Sequence, residues 1–134
     1  MTALGAAPAR GAPAGVSPQG VAEQVRTWRR AHEQEIVDSC VQLLSIPNVA
    51  HDETNIRRNA VHISSLLRER GFGVSLLEAD GAPPVVFAER SVPGADRTLM
   101  IYAHYDGQPV DPGDWASDPW TPVLRDGPVE LGGR

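Results

Sequence analysis

The feature that most constrains this chain is an apolar run that ends on two groups able to bind or polarise a cation. Thr98-Leu99-Met100-Ile101-Tyr102-Ala103 leads into His104-Tyr105-Asp106-Gly107. A short apolar run rich in β-branched and aromatic residues predicts a strand. A strand that is apolar on both faces belongs in a sheet covered on both sides, which is an α/β arrangement. Side chains alternate along a strand, so His104 and Asp106 are expected to point the same way. Open α/β sheets hold their ligands at the carboxyl ends of strands, where this pair falls.

The rest of the sequence supplies helices and two further strands. A first helix is expected over about residues 21–45, with Val25, Trp28, Ile36, Cys40 and Leu43 or Leu44 at the three- and four-residue spacing of a half-buried face. Trp28 and Cys40 are therefore expected in the core. Pro47 stops that helix near Ile46, because it restricts the residue before it and offers no N–H. Asp52 is a suitable N-cap for a second helix, whose inner stripe is Ile56, Ala60, Ile63 and Leu67. Gly71 is placed to close it in a left-handed turn. Gly73–Glu78 and Pro84–Glu89 read as strands around an Asp80-Gly81-Ala82-Pro83 turn. The expected fold class is α/β, two helices and then three strands of a mixed or mostly parallel sheet.

Composition narrows the function. The first twenty residues are mostly Ala, Gly and Pro and are expected to form a disordered tail, leaving residues 21–134 as the folded part. Net charge is −5 and every Lys/Arg position is Arg, scattered without a basic face, so nucleic-acid binding is not expected. No apolar stretch is long enough to span a bilayer, and no secretory leader stands out, so neither a membrane partner nor export is expected. The single cysteine, Cys40, allows no intramolecular disulfide and fits a reducing, cytoplasmic setting.

An isolated His-x-Asp is ambiguous. It serves a metal site when the carboxylate accepts from the second ring nitrogen of the histidine. It is equally a strand-end histidine beside a turn-forming aspartate. The longer run Tyr102-Ala103-His104-Tyr105-Asp106-Gly107-Gln108-Pro109-Val110-Asp111-Pro112, followed by Trp115, Asp118-Pro119-Trp120, Pro122 and Asp126-Gly127, is more specific. It resembles the di-zinc exopeptidases and amidohydrolases that include carnosinase, glutamate carboxypeptidase, aminoacylase and succinyl-diaminopimelate desuccinylase, and within them the dipeptidase branch. Leu44-Ser45-Ile46-Pro47-Asn48-Val49 and Gly71-Phe72 are similar to the family pattern as well. The resemblance spans about residues 21–127.

The resemblance implies that His104 ligates one of two zinc ions (other divalent metals being possible) and that Asp106 is the catalytic-site carboxylate that orients His104. It implies an amide hydrolase acting on a small peptide or N-acyl amino acid through a metal-activated water, with a Glu as general base. It also implies homodimerisation through a separate lid domain, no part of which is expected here. The bridging Asp, the Glu pair, a further acidic ligand and a distal His of the family have no counterparts in this sequence. Catalytic zinc needs three protein ligands, so the chain is expected to be an incomplete, N-terminal part of the catalytic domain, inactive alone. A non-catalytic binding or scaffold module, and a deacylase of the same family, remain as alternatives.

Asp111, Asp114, Asp118 and Asp126 match no metal position, and Asp111-Pro112 and Asp118-Pro119 read as turn initiators. His32, His51 and His62 are expected to have ordinary surface or packing roles. Arg57 and Arg58 are expected to be solvated, and Trp115 and Trp120 to pack the loop after the third strand, with the lining of a substrate pocket as the alternative. Gly107 stands where many relatives carry Val and is expected to loosen that loop.

Overall fold

The computed structural model describes residues 17–134; the expected tail lies outside the described residues up to position 16. The elements run α1 (Pro18–Ala31), α2 (Glu33–Leu44), α3 (Glu53–Glu69), β1 (Gly73–Leu77) and β2 (Val85–Glu89), followed by two single 3-10 turns. The chain divides into two units, with the boundary inside α2 between Val37 and Asp38.

In the first unit, α1 begins at Pro18, three residues earlier than expected. The Ser17 hydroxyl accepts from the Gly20 N–H at 3.0 Å, and Pro18 sits in the first turn, where its missing N–H costs nothing. The single long helix expected over residues 21–45 is instead two. His32 leaves helical geometry (φ −117°, ψ 20°), and its N–H bonds back to the carbonyls of Trp28 and Arg29. Its Nδ1 contacts the Trp28 carbonyl at 2.8 Å while its ring stacks on Trp28, with centroids 4.3 Å apart. These local contacts close α1 where hydrophobic spacing alone predicts continuation. Trp28 is exposed rather than in the core.

The second unit is built on α3. Asp52 caps it as expected: one carboxylate oxygen accepts from the Asn55 N–H at 3.0 Å and the other from the Asn55 amide at 2.7 Å. Gly71 ends it at φ 80°. The N–H of Gly71 reaches the Arg68 carbonyl and that of Phe72 the Leu67 carbonyl, a Schellman closure that only a left-handed residue permits cheaply. The chain then enters an antiparallel hairpin in which Val74 faces Ala88 and Leu76 faces Val86. Those four are half-buried against α3. Alternate positions Leu77, Val85 and Phe87 are exposed on the outer face.

The core is small. Ile56 (1 % exposed) and Ala60 (0 %) are its fully buried apolar residues, with Asn59 and Ser64 buried beside them. The Ser64 hydroxyl is satisfied by the Ala60 carbonyl at 2.7 Å. Asn59 donates to the carbonyls of Asn55 and Pro47, at 3.0 and 2.7 Å. The second bond ties α3 to the link that follows α2. Cys40, expected to be buried, is exposed.

The α/β class holds; among the described residues the sheet has two antiparallel strands, and the expected third strand and parallel character are not shown. Residues 98–103 form no ladder among the described residues, and Leu99, Met100, Ile101 and Tyr102 are 81–86 % exposed. An apolar run states that a segment suits a buried strand; backbone pairing with a neighbour is what makes it one. Among the described residues, the one parallel pairing is an isolated bridge between Val49 and Gly107. No described helix is long and apolar enough to cross a membrane.

Two carboxylates make the fold acid-sensitive. Asp52 is held below the usual carboxylate range, first by the Asn55 amide and then by the Asn55 N–H. Glu78 is held low by the Arg57 guanidinium, 2.7 Å away, and Arg57 is raised in turn. Both carboxylates have folded values below their unfolded ones, so their contribution is complete only above about pH 5, beyond both unfolded values, and disappears as pH falls through the folded values. Denaturation midpoints are expected to fall on acidification below about pH 5. Asp52→Asn, which keeps a capping side chain but cannot titrate, should flatten that fall.

Candidate metal-ligand site

The site lies in the second unit, where the exposed run ends. His104 Nδ1 is 3.2 Å from Asp106 Oδ1, so the two side chains share one side as strand alternation requires. A carboxylate accepts, so Nδ1 is the ring nitrogen that donates in this contact. Nε2 in turn lies 3.4 Å from the Tyr102 hydroxyl. Tyr102 also meets the His104 ring edge-on, with centroids 5.3 Å apart. The His104 side chain is 71 % exposed.

Four hydrogen bonds hold the segment that carries the pair. The Tyr105 hydroxyl donates to the carbonyl of Pro84, a buried residue at the start of the hairpin's second strand. Burial pushes the Tyr105 phenol above its ordinary value, with the charge of Asp106 adding to the shift, so the proton for this bond is retained. The Gly107 N–H donates to the Asn48 carbonyl at 2.7 Å, and the Ala50 N–H donates to the Gly107 carbonyl at 3.1 Å. The Asn48 amide donates to the Tyr105 carbonyl at 3.4 Å. Gly107, expected to loosen this loop, is pinned on both sides of its backbone instead.

None of these supports was singled out by sequence reasoning. Asn48 and Tyr105 are 57 positions apart, and Tyr105 and Pro84 are 21 apart. The available signal was the polar Asn48 between Pro47 and Val49 in an otherwise apolar link. A groove of about 500 Å³ opens beside the pair, with Leu43, Leu44, Ile63, Leu66 and Leu67 along it.

The remaining candidates are placed plainly. Asp111 accepts from the Gly113 N–H and Asp118 from the Trp120 N–H, each at 2.9 Å, as turn-initiating aspartates do. Asp126 accepts from the Arg134 N–H at 2.7 Å. His51 is exposed, and His62 has a shielded Nε2 without a hydrogen-bond partner among the described residues. Arg57 is paired with Glu78, and Arg58 donates to the Asn55 carbonyl oxygen of the side chain at 2.7 Å. Trp115 is exposed and Trp120 half-buried.

The pair is of the donor type that fills one ligand position of a zinc centre, an imidazole whose Nδ1 faces a carboxylate. Among the described residues, no three His, Cys, Asp or Glu side chains converge to complete it. No protein-family model matches the chain, and comparison with curated proteins and with solved structures finds no match either.

Proposed function

We propose that this chain supplies the N-terminal part of a zinc-dependent exopeptidase or amidohydrolase of dipeptidase type, with His104 as a ligand to one zinc and Asp106 as the residue that orients it. One observation carries the reading: the 3.2 Å contact between His104 Nδ1 and Asp106 Oδ1, at the end of an exposed apolar run. A surface histidine with no task has no need of a carboxylate that fixes its tautomer. The resemblance of residues 102–112 to the dipeptidase branch points the same way.

In this reading zinc supplies an activated water and polarises the scissile amide carbonyl. His104 presents Nε2, Asp106 keeps the proton on Nδ1, and the Tyr102 hydroxyl is the group that a cation replaces at Nε2. Tyr105 and the Asn48–Gly107 contacts keep the pair in register. The other ligands and the general base come from protein beyond these residues, and the substrate is a dipeptide or an N-acyl amino acid. Residues 98–103 then take their place as a third strand, in a mixed or mostly parallel sheet, when neighbours cover them. Their exposed apolar side chains on both faces support that role, since one covering element would hide only half of them.

The test is to read the coding frame past the codon for Arg134 and to assay its product. A continuation carrying an Asp-Asp-Lys segment and a Glu-Glu pair, with chelator-sensitive release of amino acids from dipeptides, is the expected result. Cleavage confined to N-acyl amino acids would make the protein a deacylase. A frame without those acidic ligands, and a product without hydrolysis at saturating zinc, would leave a binding or scaffold module.

A further inference from the structure

The two peptide units that flank Asp106 are both held by one residue. The carbonyl of Tyr105 belongs to the peptide before Asp106, and it accepts from the Asn48 side-chain amide at 3.4 Å. The N–H of Gly107 belongs to the peptide after Asp106, and it donates to the Asn48 backbone carbonyl at 2.7 Å. Fixing both peptides fixes φ and ψ of Asp106, and with them the direction in which its side chain leaves the backbone. Asn48 is itself set in place, because Asn59, 2 % exposed, donates to the carbonyl of the preceding Pro47 at 2.7 Å.

Gly107 is the complement of this arrangement. A Cβ on it would fall 2.7 Å from Asn48 Oδ1, 3.0 Å from Nδ2 and 3.1 Å from Cγ. All three are closer than ordinary carbon contacts, so swapping the amide oxygen and nitrogen does not relieve the crowding. Gly107 does not have a positive φ, so a larger residue there is opposed not by backbone conformation but by the Asn48 amide, which would have to move. The Asn48 amide fills the volume that a side chain at position 107 would take.

We propose that Asn48 is a positioning residue for the His104–Asp106 pair, and that Gly107 is its required partner because the Asn48 amide occupies the side-chain space of position 107. The inference rests on the reading of that pair as a carboxylate-oriented metal ligand. It assigns to the link after α2 the task of aiming the carboxylate that sets the His104 tautomer.

The test is a double-mutant cycle on the 134-residue chain with two readouts. Chemical denaturation reports the fit between positions 48 and 107, and long-range ¹H–¹⁵N correlation spectra report which nitrogen of His104 bears the proton. G107A is expected to lower the denaturation midpoint in the wild-type background and to leave it unchanged or raise it in the N48A background. In folded N48A, the Nδ1–H form of His104 is expected to lose its dominance, while His51 is unmoved. Asn48→Ser, which keeps a short donor, should restore part of it and serves in place of N48A if that variant does not fold.

Equal cost of G107A in both backgrounds would overturn the pairing. A wild-type spectrum dominated by Nδ1–H that is unchanged in folded N48A or N48S would overturn the positioning role alone. A wild-type chain without a dominant Nδ1–H form would sink the reading of the His104–Asp106 pair itself, and the inference with it.

Discussion

On the proposed reading, replacing His104 with alanine is expected to abolish dipeptide hydrolysis by the zinc-loaded protein and to lower the zinc it binds. The reason is the site's economy. Catalytic zinc is held by about three protein ligands, so the loss of one leaves too few to keep the ion and its water in place. The effect is expected to exceed that of Asp106→Asn. That change leaves Nε2 able to bind but loosens the hydrogen bond that orients the ring, and losses of about 10–100-fold in metal affinity or activity are typical of such outer partners. The two variants are compared by zinc content and by kcat/KM over a range of added zinc. Excess zinc should recover part of the Asp106→Asn activity and none of the His104→Ala activity. Full activity of His104→Ala in a zinc-replete assay would refute the ligand assignment.

Ile56→Ala is expected to be the most damaging single change to the fold. Ile56 is 1 % exposed and shares the fully buried apolar core with Ala60. Truncating a buried isoleucine to alanine costs about 2–5 kcal/mol, through lost transfer free energy and the cavity left behind. Whole domains are stable by only about 5–15 kcal/mol, and a core this small belongs at the low end. Loss of cooperative unfolding, or a large fall in the urea midpoint, is the expected result. Ala60→Gly, by contrast, removes little volume and acts mainly through the helix backbone, at about 1 kcal/mol. A variant at Ile56 with a wild-type midpoint would mean that α3 is not the element on which the hairpin rests.

Local signals were legible in the sequence, and signals that depend on a distant partner were not. The bounds of α3 follow from neighbours in sequence: the Asp52 carboxylate reaches the Asn55 N–H three residues on, and Gly71 supplies the left-handed residue that ends the helix. The hairpin follows from alternation, since Val74, Leu76, Val86 and Ala88 occupy the inner face. That His104 and Asp106 share a side follows from the same two-residue period. A stripe of apolar residues, however, states which face of a helix is apolar and not whether anything covers it. Trp28 and Cys40 lie on such a stripe and are exposed. The break at His32 arises from a ring nitrogen bonded to a carbonyl and a ring stacked on Trp28, neither of which hydrophobic spacing encodes.

The third strand and the supports of the site fail to read for one shared reason. Residues 98–103 carry the composition of a buried strand, but pairing requires a second segment, and composition does not name it. Asn48 and Tyr105 were likewise invisible, because their roles depend on contacts to Tyr105 and Pro84 far along the chain. Gly107 could be read as an unusual residue in a familiar run. Only the Asn48 amide beside it shows that the small residue is a matter of fit rather than of looseness.

The central claim is that His104 is built to offer Nε2 to a cation while Asp106 keeps the proton on Nδ1. The most direct measurement is a zinc titration of the ¹⁵N-labelled 134-residue chain, followed through the ring nitrogens of all four histidines. The account predicts that His104 responds at lower zinc than His32, His51 and His62, that its Nε2 resonance takes the shift, and that Nδ1 stays protonated throughout. A titration in which His51 or His62 binds first, or in which His104 takes zinc through Nδ1, would contradict it.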